Sequence, residues 1–276
     1  MNEITPRHFA SEDLLKKIQG QEVEPSINQI KRILSGMHPS EVAHSIESLP
    51  PKERKFLWSL IETQDEGEII AELHDEIQQE LISEISPEEL ITIISNLELD
   101  EIVDILQVLP DQKTENILSA MSLRDRQRIQ EALEYPEDSA GGLMNTDIIS
   151  VRPKHNLEVV MRYLRAQREL PKNTDQIFVV SRENKYLGSL PISSIVVSDP
   201  SLNVRELMES EIQPLEASLN DKDVSRLFEQ NDWVSAPVVD SESRLIGRIT
   251  IDDVVDVIME DADQNFLGMA GVAEDT

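Results

Sequence analysis

One feature restricts the fold of this chain more than any other: the first half repeats with a period of twelve residues. Stepping by twelve from Met37 meets Leu49, Ile61, Leu73, Ile85, Leu97, Leu109, Met121 and Leu133, all apolar. The eighth residue after each start is Ser45, Leu57, Ile69, Leu81, Ile93, Ile105, Ile117 and Ile129, apolar in every unit but the first. Longer matches keep the register. His38-Pro39-Ser40-Glu41-Val42 aligns with Ser86-Pro87-Glu88-Glu89-Leu90, and Leu49-Pro50 aligns with Leu109-Pro110. Twelve residues hold a helix of three turns or less and a connection. No such helix buries its apolar stripe alone, so neighbours must stack. The expectation is an all-α, superhelical, solenoid-like array over residues 1–136, with a plain helical bundle as the alternative.

The unit starts carry helix-initiation chemistry. Pro39, Pro50, Pro87 and Pro110 sit where a missing N–H costs nothing. Ser86-Pro87-Glu88-Glu89 reads as an N-cap followed by acids at the positive end of the helix dipole. The units at Ile61 and Leu73 lack a clear breaker, so fusion into a longer helix is open there.

Charge sets the next limits. The chain has 54 acidic and 25 basic residues in 276, a formal net charge of −29. Such a chain repels phosphate backbones, so no nucleic-acid partner is expected, and it repels anionic membrane surfaces too. Hydrophobic residues make up 39% and aromatics 4%, so the core must be aliphatic. Cysteine is absent, which removes disulfides, thiolate metal sites and cysteine nucleophiles and fits a reducing compartment. No apolar run reaches the roughly 20 residues of a membrane span, and the first residues contain no apolar signal core. Neither a Gly-x-Ser-x-Gly elbow nor a phosphate loop is present, and an enzyme is not expected. A soluble intracellular portion is the expectation.

From about Gly142 the pattern becomes α/β and is duplicated. Leu143-Met144 matches Leu207-Met208, Ile177-Phe178-Val179-Val180 matches Ala236-Pro237-Val238-Val239, and Tyr186-Leu187-Gly188 matches Leu245-Ile246-Gly247. The first copy carries five extra residues around Leu170–Asp175. Each copy runs helix, strand, tight polar turn, strand, and a helix follows.

The apolar-Met starts, Pro237-Val238-Val239-Asp240 before a hairpin, and the run Leu245 to Val254 resemble a pair of CBS domains. The order of the whole chain adds to this: an acidic short-helix array, then Tyr135-Pro136-Glu137-Asp138-Ser139-Ala140-Gly141-Gly142-Leu143-Met144, then the pair, then an acidic helix. That order is similar to the cytosolic part of the MgtE family of magnesium transporters, from about Pro25 to the C-terminus. The resemblance implies CBS domains at 137–200 and 201–258, and a connecting, plug-like helix from 259 to 276 toward a membrane pore domain of the same chain. It also implies a homodimer through the CBS pair and a place at the cytoplasmic face of the cell membrane.

Magnesium takes oxygen ligands and keeps several waters, so a sensor needs only one or two carboxylates per site. Asp100 and Asp104 are four apart on one helix face, where like charges repel unless a cation sits between them. Glu68 holds the register of Asp104 three units earlier and is a metal candidate on the same side of the array. Asp253 and Asp256 share a face of the final helix, which continues through Glu260, Asp261 and Asp263, and Asp232 precedes Trp233. The resemblance implies magnesium at Asp100, Asp104, Asp232, Asp253, Asp256, Asp261 and the carbonyl of Gly142. Family acids fall here on Asn220, Lys222 and Asn265, and a lysine cannot ligate a cation.

Gly247-Arg248-Ile249-Thr250-Ile251-Asp252-Asp253 also fits the CBS nucleotide signature, with Thr250 and Asp253 as ATP-binding candidates. The first copy has Ser193-Ser194 where family members that bind ATP use Arg-Asp. Asp253 cannot fully serve ribose and magnesium together, and magnesium is favoured. His38 and His44 read as surface or capping residues. The expected function is a magnesium-sensing gate; a free adapter reading adenine nucleotide and a docking scaffold are the rivals.

Overall fold

The structure is a computed structural model. It describes residues 27–167 and 169–270, with the last helix described by its backbone alone at 260 and from 263 onward. The chain forms two compact units that divide between Ile129 and Gln130.

In the first unit the helices are α1 Ile27–Leu34, α2 Pro39–Glu47, α3 Pro51–Trp58, α4 Thr63–Ala71, α5 Asp75–Ser83, α6 Pro87–Ile94, α7 Leu99–Gln107, α8 Asp111–Ala120 and α9 Leu123–Ala132. Each begins twelve residues after the one before. The units at Ile61 and Leu73 do not fuse: α4 ends at Glu72 and α5 starts after an extended His74. Leu73 turns into the core, and Glu47 accepts from the His74 backbone N–H at 3.0 Å, pinning the break.

The repeat is a burial pattern. The eighth-position residues from Leu57 to Ile129 are all buried, and so is Ser45. Ser45 keeps the register because its hydroxyl donates to the Glu41 carbonyl at 2.8 Å, which satisfies a polar group in a core position. Caps recur as well. The carboxylates of Glu41, Glu89 and Glu101 accept from the backbone N–H groups of His38, Ser86 and Glu98. His38 is thus a helix-start residue.

Packing runs mainly between alternate helices: α2 with α4, α4 with α6, α6 with α8. The helical turn of the solenoid is therefore 24 residues, two units. Arg54, Gln78 and Thr114 each donate to the carbonyl eight residues earlier, on Ile46, Ile70 and Leu106, and so close the end of the preceding helix. Gly67 permits the closest approach. A Cβ there would lie 2.5 Å from the Ile93 carbonyl oxygen.

The second unit contains two three-stranded sheets of one topology. Strands β1 Ser150–Val151, β2 Gln176–Val180 and β3 Tyr186–Pro191 form the first; β4 Leu215–Glu216, β5 Ser235–Val239 and β6 Leu245–Thr250 form the second. In each, the first pair is parallel and the second antiparallel, with a register shift at the same place, Val179/Val180 and Val238/Val239. The helices are α10 Leu157–Ala166, α11 Ile192–Val197, α12 Val204–Leu207, α13 Asp221–Asn231 and α14 Ile251–Ala270.

The cores interleave the copies. Ala140 and Met144, which precede the first copy's strands, pack with Phe228, Val238 and Ile249 of the second. Val204, Leu207 and Met208, which precede the second, pack with Val160, Ile177 and Leu190 of the first. The bridges Asn145–Arg248 and Ser189–Glu209 repeat the exchange with the copies reversed. The array and the duplicated α/β pair are as the sequence expects.

Candidate functional site: acidic helix faces and the end of the second copy

Asp100 and Asp104 both lie on α7. Asp100 is buried at 6% exposure, one of its oxygens accepting from the Glu101 backbone N–H at 3.1 Å, whereas Asp104 is exposed. Glu68 is exposed on α4. It lines a cleft of about 160 Å³ with Lys31, Ser35, Glu62 and Asp65 over an apolar floor that includes Leu34 and Ile69. Its neighbour Glu66 is half-buried. Burial and the charge of Glu89 raise its pKa above the ordinary 4.5.

In the second unit, Gly142 is buried in the turn after Tyr135. Its N–H donates to the Ser139 carbonyl at 2.9 Å, and a Cβ there would lie 2.5 Å from the Pro136 carbonyl oxygen. No other residue type fits that turn. Asp232 ends α13 with φ 52 and ψ 40, a left-handed conformation that aspartate tolerates better than most residues. The turn directs Trp233 edge-on against Phe228, ring centroids 5.7 Å apart.

Thr250, Asp252 and Asp253 meet at the start of α14. The Thr250 N–H and hydroxyl each donate to Asp253 Oδ2 at 3.1 Å, a capping arrangement for this helix, and the same hydroxyl donates to Asp252. Asp252 Oδ2 accepts from Asn173 Nδ2 at 2.6 Å. Asp256, one turn on, is exposed. Asp261 is paired with Lys222 of α13, which raises the lysine pKa through hydrogen bonding and charge. Lys222, where the sequence resemblance expects an acid, thus places its ammonium on an acid of the final helix. The side chains of Glu260, Asp263 and Asn265, and residues 1–26 and 271–276, lie outside the described residues.

The carboxylates therefore occur in pairs along helices. Among the described residues no group of three or more acids or histidines converges to hold a metal ion, and no helix is long and apolar enough to cross a membrane. Three elements were not visible to sequence reasoning: the Lys222–Asp261 pair, the Asn173–Asp252 bond, and the placement of Glu66. The first two link residues 39 and 79 apart, and only the Lys at a family acid position hinted at either.

A twelve-residue helical repeat followed by two interleaved CBS folds defines a regulatory protein of the CBS-pair class. The MgtE intracellular N domain family matches residues 37–138, and the CBS domain family matches residues 140–198 and 204–260. The chain belongs to the MgtE family, whose intracellular N domain and CBS pair it carries. The magnesium transporter MgtE of Thermus thermophilus is 30% identical over 264 residues, covering 95% of this chain and 59% of the transporter. That of Bacillus subtilis is 22% identical over 249 residues, covering 90% and 55%. The chain thus spans somewhat more than half the length of these curated relatives. The crystal structure of the cytosolic domain of the Mg2+ channel MgtE in complex with ATP is 28% identical, with a TM-score of 0.79 over 88% of this chain and 99% of that one.

Proposed function

We propose that this chain is the magnesium-sensing regulatory part of a magnesium transporter, standing at the cytoplasmic face of the membrane. Mg2+ draws together the acidic faces of the array, the CBS pair and the final helix, and so favours the closed state of a pore domain. The observation that carries this is the arrangement of acids in a chain of this family: Asp100 with Asp104 on α7 and Asp253 with Asp256 on α14, paired within each helix and, among the described residues, not gathered into a complete cage. Each pair supplies the one or two carboxylates a hydrated Mg2+ requires. Asp104 and Asp256, both exposed, are the direct ligands. Asp253 contributes while one of its oxygens caps α14. Asp232 and the Gly142 carbonyl add oxygens from the second unit, and Glu68 lines the acidic side of the array.

Lys222 supplies a fixed charge where another acid would require a divalent ion, so Asp261 is held without magnesium. A homodimer through the CBS pair belongs to this reading, supported by the apolar side chains of Val196 and Val197, exposed on α11. ATP is the weaker ligand: Ser193-Ser194 stands in the first copy, and Thr250 and Asp253 satisfy each other in the second.

Small-angle scattering and limited proteolysis across millimolar Mg2+ test the proposal. Full compaction requires Mg2+ to favour the closed state by about 5.5 kcal/mol for a 1:99 to 99:1 reversal, a sum over several weak sites. The wild type compacts, and Asp256→Ala, which leaves the cap of α14 intact, shifts the midpoint to higher Mg2+. Asp253→Ala with Asp256→Ala shifts it further. Unchanged compaction in the double variant sinks the bridging role.

A further inference from the structure

The first copy's longer loop, Leu170–Asp175, reaches across to the second copy. Arg248, in the middle of β6, is buried at 4% exposure. Its guanidinium donates to the carbonyls of Lys172 at 2.5 Å and Asn173 at 3.4 Å, while its buried Nε has no hydrogen-bond partner. Asn173, held in a left-handed conformation at φ 53, donates its amide to Asp252 at 2.6 Å. Asp175 accepts from the Ser235 hydroxyl at 2.5 Å. Three successive anchors of the loop thus fall on the second copy, two of them on either side of Thr250 in its nucleotide-signature run. Thr250 itself is 4% exposed.

The arrangement is one-sided. The residue equivalent to Arg248 in the first copy is Ser189, which bonds the Tyr186 hydroxyl at 2.9 Å, and the segment before β5 lacks the five residues. A buried guanidinium is costly unless its donors are matched, and the loop carbonyls match only part of it.

We propose that Leu170–Asp175 is a lid built into the chain, closed over the nucleotide cleft of the second CBS copy. An adenine nucleotide would have to bring its ribose to the Thr250–Asp253 end and its phosphates to the one buried cation there, Arg248. Those are the groups that the lid and the helix cap already occupy. The second copy is nucleotide-blind while the lid is latched, and a displaced lid exposes a cleft with a ribose acceptor and a cationic floor.

The full chain, without Mg2+, is titrated calorimetrically with AMP and with ATP. A variant lacking residues 170–174 brings the first copy to the length of the second. With the lid in place, any nucleotide binding is indifferent to Asp253→Ala. The trimmed chain gains a site at least about tenfold tighter than the wild type shows there, and Asp253→Ala removes it. Wild-type binding that depends on Asp253, or a trimmed chain that melts as the wild type does yet gains no site, overturns the proposal. Should the trimmed chain not fold, Asn173→Ala takes its place. The proposal then expects faster hydrogen exchange across 170–176 and Asp253-dependent AMP binding. Faster exchange without binding, or no change in exchange, rejects it.

Discussion

The two units solve the same problem, how to bury short elements that cannot fold alone, in opposite ways. The array uses one register again and again: α2, α4, α6 and α8 pack in succession, and the same carbonyl is closed by Arg54, Gln78 and Thr114. Its contacts reach about two units along the chain. In the duplicated pair, Met144 lies in the second copy's core and Met208 packs on the first, so each half is completed by the other. Local repetition tolerates damage in one unit; exchange makes the pair fail as a whole.

The most severe break in that comparison is Phe228→Ala. The ring is 1% exposed and packs on Trp233, so its loss costs about 3–5 kcal/mol. Two-phase denaturant unfolding registers the loss as a shift in the CBS-pair transition alone. Equal movement of both transitions contradicts the division into units. Next comes Gly67→Ala. The added methyl meets the Ile93 carbonyl, and the array loses about 2 kcal/mol. Hydrogen exchange rises in α4 and α6 first and leaves the CBS pair unchanged. A uniform rise along the array is the contrary result.

The smallest effect sharpens the comparison. Glu66 holds the register of Arg54 and Gln78, but an ionised carboxyl cannot donate to a carbonyl. Its pKa lies above 4.5 in the folded state because burial and Glu89 disfavour the charge. The folded state therefore favours the protonated form. That stabilisation is complete below 4.5 and is lost as pH rises through the raised value. Glu66→Gln stabilises the array by about 1 kcal/mol at neutral pH. Thermal melting from pH 4 to pH 7 shows the gap from wild type widening as pH rises. A constant gap removes the titration argument.

Much of this was legible in the sequence, and the misses have causes. The twelve-residue step marks the units from α2 to α9, with α4 and α5 left open to fusion, because a buried Leu or Ile recurs at one register, and Ser45 falls in line once its hydroxyl is satisfied by Glu41. The step could not say that neighbours are two units apart, since periodicity gives spacing and not partners. The break at His74 was invisible because no proline or glycine marks it; Glu47, 27 residues earlier, holds it. The Thr250-x-x-Asp253 run carries two chemistries at one spacing, a helix cap and a ribose acceptor. The spacing fits a ligand signature, and in the structure the same residues cap α14. The spacing of Asp253 and Asp256 was readable from one helix face. The attachment of Asp261 to Lys222 was not, because it joins two helices.

The exchange of leading segments also decides where the chain enters and leaves the second unit. The segment that runs from Tyr135 into the pair seats Ala140 and Met144 beside Val254, the first buried turn of α14, in one core. Met144 presses on Gly247 with no room for a Cβ between them. The segment that enters the pair and the helix that leaves it therefore share the second copy's core. The first copy joins the second through the cluster of Phe178, Val180 and Leu245 and through the anchors of its extra loop.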